Sequence, residues 1–139
     1  MSSERLPREF AGFFEHARQR RLAFPRCAAC ARFHWYPMPV CPHCRHADVR
    51  WQPIAGPGEI FSFTTVRHAF EPSRRARLPY VVALVTFEDA PGVQLVSNII
   101  DSPAGAIAIG ARVQPVFPAP DTGEPAVMFR IVTAEPGPT

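Results

Sequence analysis

The chain has 139 residues, of which 47% are hydrophobic and 19% are charged, with 17 prolines and a formal net charge of +3. This length accommodates one ordinary domain, or a small module joined to a domain of roughly 80 to 90 residues, and excludes a large two-domain enzyme. The apolar fraction indicates a globular chain with a core. No apolar run is long enough to span a bilayer, and the first eight residues lack the apolar core of an export signal, so we expect a cytoplasmic protein without a membrane segment.

The N-terminal segment, residues 1–21, predicts an amphipathic helix. Phe10, Phe13, Phe14 and Ala17 follow the i, i+3, i+4, i+7 spacing, which forms one apolar stripe on a helix of about four turns. The simpler interpretation is that this stripe packs on the same chain. A docking surface for a partner protein is the alternative.

Residues 22–53 are organised around four cysteines, in two C-x2-C pairs separated by ten residues: Cys27, Cys30, Cys41 and Cys44. Each pair can present two sulfurs from a tight turn to one ion, so the spacing predicts a tetrahedral metal site. Zinc is the preferred ion, and iron is the alternative because tetrahedral sulfur ligation suits both. A closed site of four thiolates leaves no position for water, so the predicted role of the metal is structural.

Other uses of these cysteines are less favoured. Disulfides require an oxidising compartment, and a redox dithiol is expected beside a βαβ unit, which the sequence lacks. His34, His43 and His46 lie nearby, but four thiolates already fill the coordination shell. Zinc with four thiolates carries a charge of −2, which reduces the formal charge of the chain from +3 to +1 and leaves little basis for binding nucleic acid.

From Gly56 onwards the pattern is that of β structure. Five short runs are separated by turn residues: residues 58–70, 79–88, 93–100, 111–119 and 126–134. Five strands in about 80 residues predict a small closed barrel, because closure removes exposed sheet edges. The second run is apolar on both faces, so the N-terminal helix or a partner subunit is expected to cover its outer side.

Catalytic groups are hard to find in the second part of the chain. No nucleophile elbow, phosphate-binding loop or dinucleotide motif occurs after residue 46, and His68 with Glu71 is a weak candidate for an acid–base pair. The connection after the first barrel strand is rich in arginine, and loops of five-stranded barrels frequently frame a ligand. Arginines there suit phosphate oxygens, although a solvated loop explains them equally well.

The order of these blocks resembles a family that joins an N-terminal helix and a rubredoxin-like zinc ribbon to an acyl-CoA-binding OB-fold. The blocks that carry the resemblance are PRCAAC, YPMPVCPHC, GPGEIFSFTTV, LPYVVALVTFE, VQLVSNI and IGARVQPVF. The resemblance implies a mainly β chain, with the zinc ribbon at residues 22–53 and a five-stranded OB-fold barrel at residues 54–139. One departure is Ala31, where the family usually has glycine, at a position that favours a left-handed turn.

The resemblance further implies a non-catalytic accessory subunit that binds acyl-CoA and partners a thiolase-like, hydratase-like or aldolase enzyme in lipid, steroid or aromatic acyl-CoA metabolism. No short motif identifies the CoA contacts, and chemistry and loop position suggest Arg67, His68, Arg77 and Phe129. A single-stranded nucleic-acid-binding module is the alternative function, and an electron carrier with iron ranks third. Both a homodimer and a heterotetramer are compatible with the sequence.

Overall fold

The computed structural model describes residues 8–68, 78–119 and 125–132. A 3-10 turn at Arg8–Phe10 leads into α1 (Ala11–Arg18), and the first sheet pairs β1 (Leu22–Cys27) with β2 (Val49–Ile54). The second sheet contains β3 (Gly58–Val66), β4 (Tyr80–Phe87), β5 (Gln94–Ile99), β6 (Arg112–Val116) and β7 (Met128–Ile131). Within these ranges, no helix has the length and apolarity needed to cross a membrane.

The N-terminal helix is shorter than the four turns predicted from its apolar stripe. It ends at Arg18 because Arg20 adopts a left-handed conformation, with φ of 60°. The Arg20 N–H donates to the Ala17 carbonyl at 2.9 Å and the Arg21 N–H donates to the His16 carbonyl at 3.0 Å, which is the Schellman pattern of helix termination. The helix packs against β1 and β2, so the stripe faces its own chain, as the simpler interpretation predicted.

The first sheet has no counterpart in the predicted elements, because residues 22–53 show no strand periodicity. β1 runs antiparallel to β2, with Leu22 opposite Ile54 and Cys27 opposite Val49. Four consecutive residues at the start of β1 are buried, so the alternation that marks a half-exposed strand is absent.

The helix lies close to the first sheet at Gly12. A Cβ atom at Gly12 would overlap the indole ring of Trp51 on β2, so only glycine allows this contact. The Trp51 ring also lies 6.5 Å from the ring of His16 on the same helix. The helix is therefore fixed to the ribbon by an aromatic contact that a larger residue at position 12 would prevent.

The five predicted barrel strands are confirmed, and they form a closed barrel in the order β3-β4-β5-β7-β6. β6 closes the barrel through its pairing with β3, where Gly58 lies opposite Val113. β3 contains a bulge between Ile60 and Ser62, which reverses the facing of its later residues. The fold class predicted from the sequence, a helix and zinc ribbon followed by an OB-fold barrel, is confirmed.

One continuous core joins the helix, the ribbon and the barrel. The rings of Phe24 on β1 and Phe87 on β4 lie 5.1 Å apart, and the Phe87 ring lies 6.0 Å from that of Phe129 on β7. On the other side, Phe24 lies 6.3 Å from Phe13 of α1. Because these rings belong to a single buried cluster, the ribbon and the barrel depend on the same packing.

The outer face of the barrel remains apolar around β4. Leu84 is half-buried on this face and lies opposite Val96 of β5, which is 54% exposed, while Phe61 at the bulge of β3 is 53% exposed. The N-terminal helix packs on the ribbon sheet and not on this face. That a partner subunit covers the face stays a prediction.

Candidate metal centre and barrel-end pocket

Two knuckles with the same backbone pattern bring the cysteines together. The Ala31 N–H donates to the Cys27 carbonyl at 2.9 Å, and the Arg45 N–H donates to the Cys41 carbonyl at 2.8 Å. Ala31 and Arg45 both adopt left-handed conformations, with φ of 65° and 67°. The left-handed turn predicted after Cys30 is therefore confirmed, and the second knuckle contains an equivalent one.

The four sulfur atoms of Cys27, Cys30, Cys41 and Cys44 all lie within 4.8 Å of one another. The Cys27 and Cys44 sulfurs are 3.5 Å apart, and those of Cys30 and Cys41 are 3.7 Å apart. These separations are too long for disulfide bonds, which measure about 2.05 Å. They match the edge, about 3.8 Å, of a tetrahedron with metal–sulfur bonds of about 2.3 Å, so the geometry fits a tetrahedral metal ion.

Backbone groups favour negative charge on these sulfurs. The Ala29 N–H lies 3.3 Å from the Cys27 sulfur, and the His43 N–H lies 3.3 Å from the Cys41 sulfur. Since each donor lies two residues after the first cysteine of its pair, the two knuckles again use the same arrangement. Such N–H···S contacts stabilise a thiolate, which is the form that binds metal.

The pKa values of the Cys41 and Cys44 thiols are shifted in opposite directions. Burial raises the pKa of Cys41, but hydrogen bonds from the Cys44 and His43 backbones and from neighbouring thiols outweigh it and lower that pKa to about 6. At Cys44 a backbone hydrogen bond with His46 lowers the pKa, but burial and the other three thiols outweigh it and raise that pKa to about 11. Four adjacent thiolates repel one another, and a divalent cation relieves this repulsion, so the donor set fits a metal ion.

The nearby histidines have other environments. His34 is only 4% exposed, the Nε2 atom of His43 lies 3.2 Å from the Phe33 carbonyl, and His46 Nδ1 accepts a hydrogen bond from the Asp48 N–H at 3.1 Å. Across the described ranges, the only group with metal-ligand spacing contains the four cysteines and no histidine. The metal site is therefore closed by sulfur alone.

A cavity of about 720 Å³ lies at one end of the barrel, where β3 ends and β4 begins. Arg67 lines it, in keeping with the loop position predicted for a ligand contact. His68 follows in sequence and is exposed, but it does not line the cavity. Arg77 and Glu71 lie outside the described residues.

Phe129 is buried inside the barrel and does not line the barrel-end cavity. Its side chain is fully buried and packs on Phe87, and the neighbouring Met128 lines the cavity instead. Phe129 therefore belongs to the hydrophobic core in this structure. The assignment of Arg67, His68, Arg77 and Phe129 to a ligand site stays a prediction.

Several residues that line the barrel-end cavity were not predicted from the sequence: Thr65, Tyr80, Asn98, Asp101 and Ser102. Some of them are held by hydrogen bonds to the backbone: Asn98 Nδ2 donates to the Val81 carbonyl at 3.1 Å, and Ser102 Oγ accepts from the Ile131 N–H at 2.9 Å. They come from β3, β4, β5 and the segment after β5, and they belong to no short motif. Only the strand order brings them together.

Comparison with known proteins decides the family. The family model described as "ChsH2, rubredoxin-like zinc ribbon domain" matches residues 14–50, and the model described as "ChsH2, C-terminal OB-fold domain" matches residues 51–118. A solved structure, "Ltp2-ChsH2(DUF35) aldolase", is similar at a TM-score of 0.78 and 35% sequence identity, over 91% of this chain and 97% of that chain. The chain belongs to the ChsH2 (DUF35) family.

Two further similarities bear on this ChsH2-family chain. A protein of Thermomonospora curvata named "Probable enoyl-CoA hydratase alpha subunit" is 40% identical over 108 residues, which are 78% of this chain and 33% of that protein. The chain thus spans about a third of that relative. A DUF35-family protein of unknown function from Sulfolobus solfataricus shares the fold, with a TM-score of 0.66 and 16% identity over 94% of this chain and 90% of that one.

Proposed function

We propose that this chain is a non-catalytic, acyl-CoA-binding accessory subunit that assembles with a thiolase-like, hydratase-like or aldolase enzyme. The observation that carries the proposal is the similarity to the Ltp2-ChsH2(DUF35) aldolase, because this chain aligns with 97% of that chain at 35% identity. The name of the Thermomonospora curvata relative, a hydratase subunit, supports a role in acyl-CoA chemistry.

The barrel-end cavity supports acyl-CoA as the ligand. Apolar side chains of Ile99, Ile107 and Met128 form part of its wall, and Arg67 supplies a positive charge at the rim. A mostly apolar cleft with a few polar groups is the usual environment of a small-molecule ligand, and a guanidinium suits the phosphates of CoA. The acyl chain of a CoA thioester would contact the apolar wall, and its phosphates would contact Arg67.

The metal and the outer barrel face support the accessory role. We propose zinc for the four-cysteine site, where it would hold the ribbon in place and perform no chemistry, and a cytoplasmic location, where cysteines remain reduced. The exposed apolar side chains of Phe61 and Val96 would be covered by the partner enzyme.

The first test is to purify the tagged protein from its native host and to identify bound proteins by mass spectrometry, with a metal assay on the same sample. We expect a thiolase-like, hydratase-like or aldolase protein in stoichiometric amount and one zinc per chain. Recovery of nuclease-sensitive nucleic acid without such an enzyme would favour the single-stranded nucleic-acid function instead.

The second test measures acyl-CoA binding by isothermal titration calorimetry, both for the free chain and for the purified complex. Arg67→Gln is expected to weaken acyl-CoA binding about tenfold, because a charged hydrogen bond contributes about 1.5–3 kcal/mol. Arg112→Gln is the matched control, since Arg112 is exposed on β6 and does not line the cavity. Equal weakening by both substitutions would argue against the barrel-end site.

A further inference from the structure

A second cavity, of about 1000 Å³, lies between the ribbon and the barrel. On the ribbon side it is lined by charged and aromatic residues: Arg26, Arg32, Phe33, His34, Trp35 and His43. On the barrel side Asp89, Pro91 and Gly92 complete the wall. No residue of the barrel-end cavity contributes to this cleft, so the two are separate sites.

The two arginines of the cleft lack acidic partners. Arg26 Nε donates to the Ala31 carbonyl at 3.2 Å, and its guanidinium carbon lies 5.8 Å from the centre of the Phe33 ring. The Arg32 side chain makes no hydrogen bond or ion pair with any other residue in the described ranges, where the ion pairs are those of Arg18 and Arg50. Neither guanidinium group is therefore ion-paired with a carboxylate among the described residues.

Asp89 is the one carboxylate among the described residues that line the cleft. Its Oδ2 atom accepts a hydrogen bond from the Gly56 N–H at 2.7 Å, which fixes the carboxylate on the barrel side. The formal charge of the lining is positive, since Arg26 and Arg32 outnumber Asp89. The two guanidinium groups are therefore the lining groups that would attract an anion.

The polar wall of the cleft is also incompletely paired. Both ring nitrogens of His34 are buried and have no hydrogen-bond partner in the described part of the chain. Leaving buried polar atoms unpaired costs about 1–3 kcal/mol each, so a native structure rarely keeps them without a reason. Here they belong to a residue that lines the same cleft as the two arginines.

We propose that the ribbon–barrel cleft binds the phosphate groups of a small phosphorylated molecule. Two guanidinium groups match the charge of a diphosphate and offer the forked donors that phosphate oxygens accept in pairs. The cleft volume lies at the upper end of the range for small-molecule sites, so a molecule larger than inorganic phosphate fits. The proposal is independent of acyl-CoA binding at the barrel end.

The test titrates the full-length, zinc-loaded protein with inorganic pyrophosphate. Trp35 lines the cleft, whereas Trp51 lies on the other side of the ribbon against Gly12, so the W51F variant leaves one fluorescent reporter at the site. We expect a saturable change in Trp35 fluorescence, and saturable heat in a calorimetric titration of the wild-type protein.

Three substitutions test whether pyrophosphate affinity follows the charge of the cleft. Arg32→Gln should weaken pyrophosphate binding about tenfold, because it removes a charged donor. Asp89→Asn should strengthen binding severalfold, because it removes the opposing charge while its side-chain oxygen can still accept from the Gly56 N–H. Arg112→Gln removes the same unit of charge from a residue that does not line the cleft and should change the affinity less than twofold.

The absence of saturable binding would overturn the proposal, as would equal weakening by R32Q and R112Q at unchanged zinc content.

Coenzyme A is the second probe, and it separates two sources of phosphate. If R32Q weakens CoA and pyrophosphate alike, the cleft holds the phosphates of CoA. If pyrophosphate depends on Arg32 but CoA depends on Arg67 alone, the cleft serves a different phosphorylated molecule. Pyrophosphate binding without any acyl-CoA binding would contradict the proposed acyl-CoA-binding function and would still support the phosphate site in the ribbon–barrel cleft.

Discussion

The zinc ribbon and the barrel achieve order in different ways. The ribbon places its key groups close together in sequence, since Cys27 and Cys44 are 17 positions apart, and two short knuckles are enough to bring four sulfurs within 4.8 Å. The barrel instead depends on pairings between distant strands, such as that of Gly58 with Val113. A local constraint of this kind can be recognised in a sequence, whereas a long-range one requires the folded chain. The shared aromatic core means that the two regions are nevertheless not independent.

The largest effect should come from removing a metal ligand, because structural zinc sites supply about 10–16 kcal/mol of apparent binding energy. Cys41→Ser is expected to abolish zinc binding and to lower the melting temperature of the whole chain, since the ribbon positions Phe24 against the barrel. Metal analysis and calorimetry measure both effects. His46→Ala is the control and should retain zinc. A barrel that melts unchanged in C41S would show that the regions are independent after all.

The next largest effect tests the core that joins the two regions. Phe24→Ala should destabilise the protein by about 3–5 kcal/mol, because it opens a cavity beneath Phe87. Chemical denaturation of the zinc-loaded protein measures the change. Phe61→Ala is the matched control, since that ring is 53% exposed and its loss should cost far less. Similar costs for both substitutions would contradict the continuous core.

A smaller effect is expected where the helix meets the ribbon. Gly12→Ala should cost about 1–3 kcal/mol, because the new methyl group overlaps the Trp51 indole. Thermal unfolding provides the measurement. Gly105→Ala places its methyl group in open space and should change stability by less than about 0.5 kcal/mol. A stabilised G12A protein would mean that the helix is free to move away from the sheet.

The smallest effect concerns the first knuckle, and it has the opposite sign. Ala31→Gly should stabilise the chain by about 1 kcal/mol, because Ala31 holds φ at 65°, where glycine has no steric cost. Ala29→Gly in the same knuckle should instead destabilise slightly, since Ala29 is not among the residues with positive φ. Urea titration resolves both, and a loss of stability in A31G would contradict the predicted strain.

The predictions that succeeded relied on short-range patterns. The cysteine spacing, the five barrel strands and the left-handed turn at Ala31 could each be recognised from a few neighbouring residues. The helix length was overestimated because Arg8–Phe10 forms a 3-10 turn and a left-handed Arg20 closely follows the last helical residue, Arg18. β1 was missed because it is buried on both faces and shows no alternation. The domain boundaries after residues 21 and 53 stay predictions.

The sequence by itself determined the metal site and the fold class, because ligand spacing and strand periodicity act over a few residues. The sequence suggested Arg67 as a ligand contact from its position after the first barrel strand; Arg67 lines the barrel-end cavity, and its role there stays a prediction. Only the tertiary structure decided that Phe129 belongs to the core, and that the ribbon arginines and Asp89 of the barrel share one cleft. Those relations depend on how strands far apart in the chain pack together, and no local pattern encodes that packing.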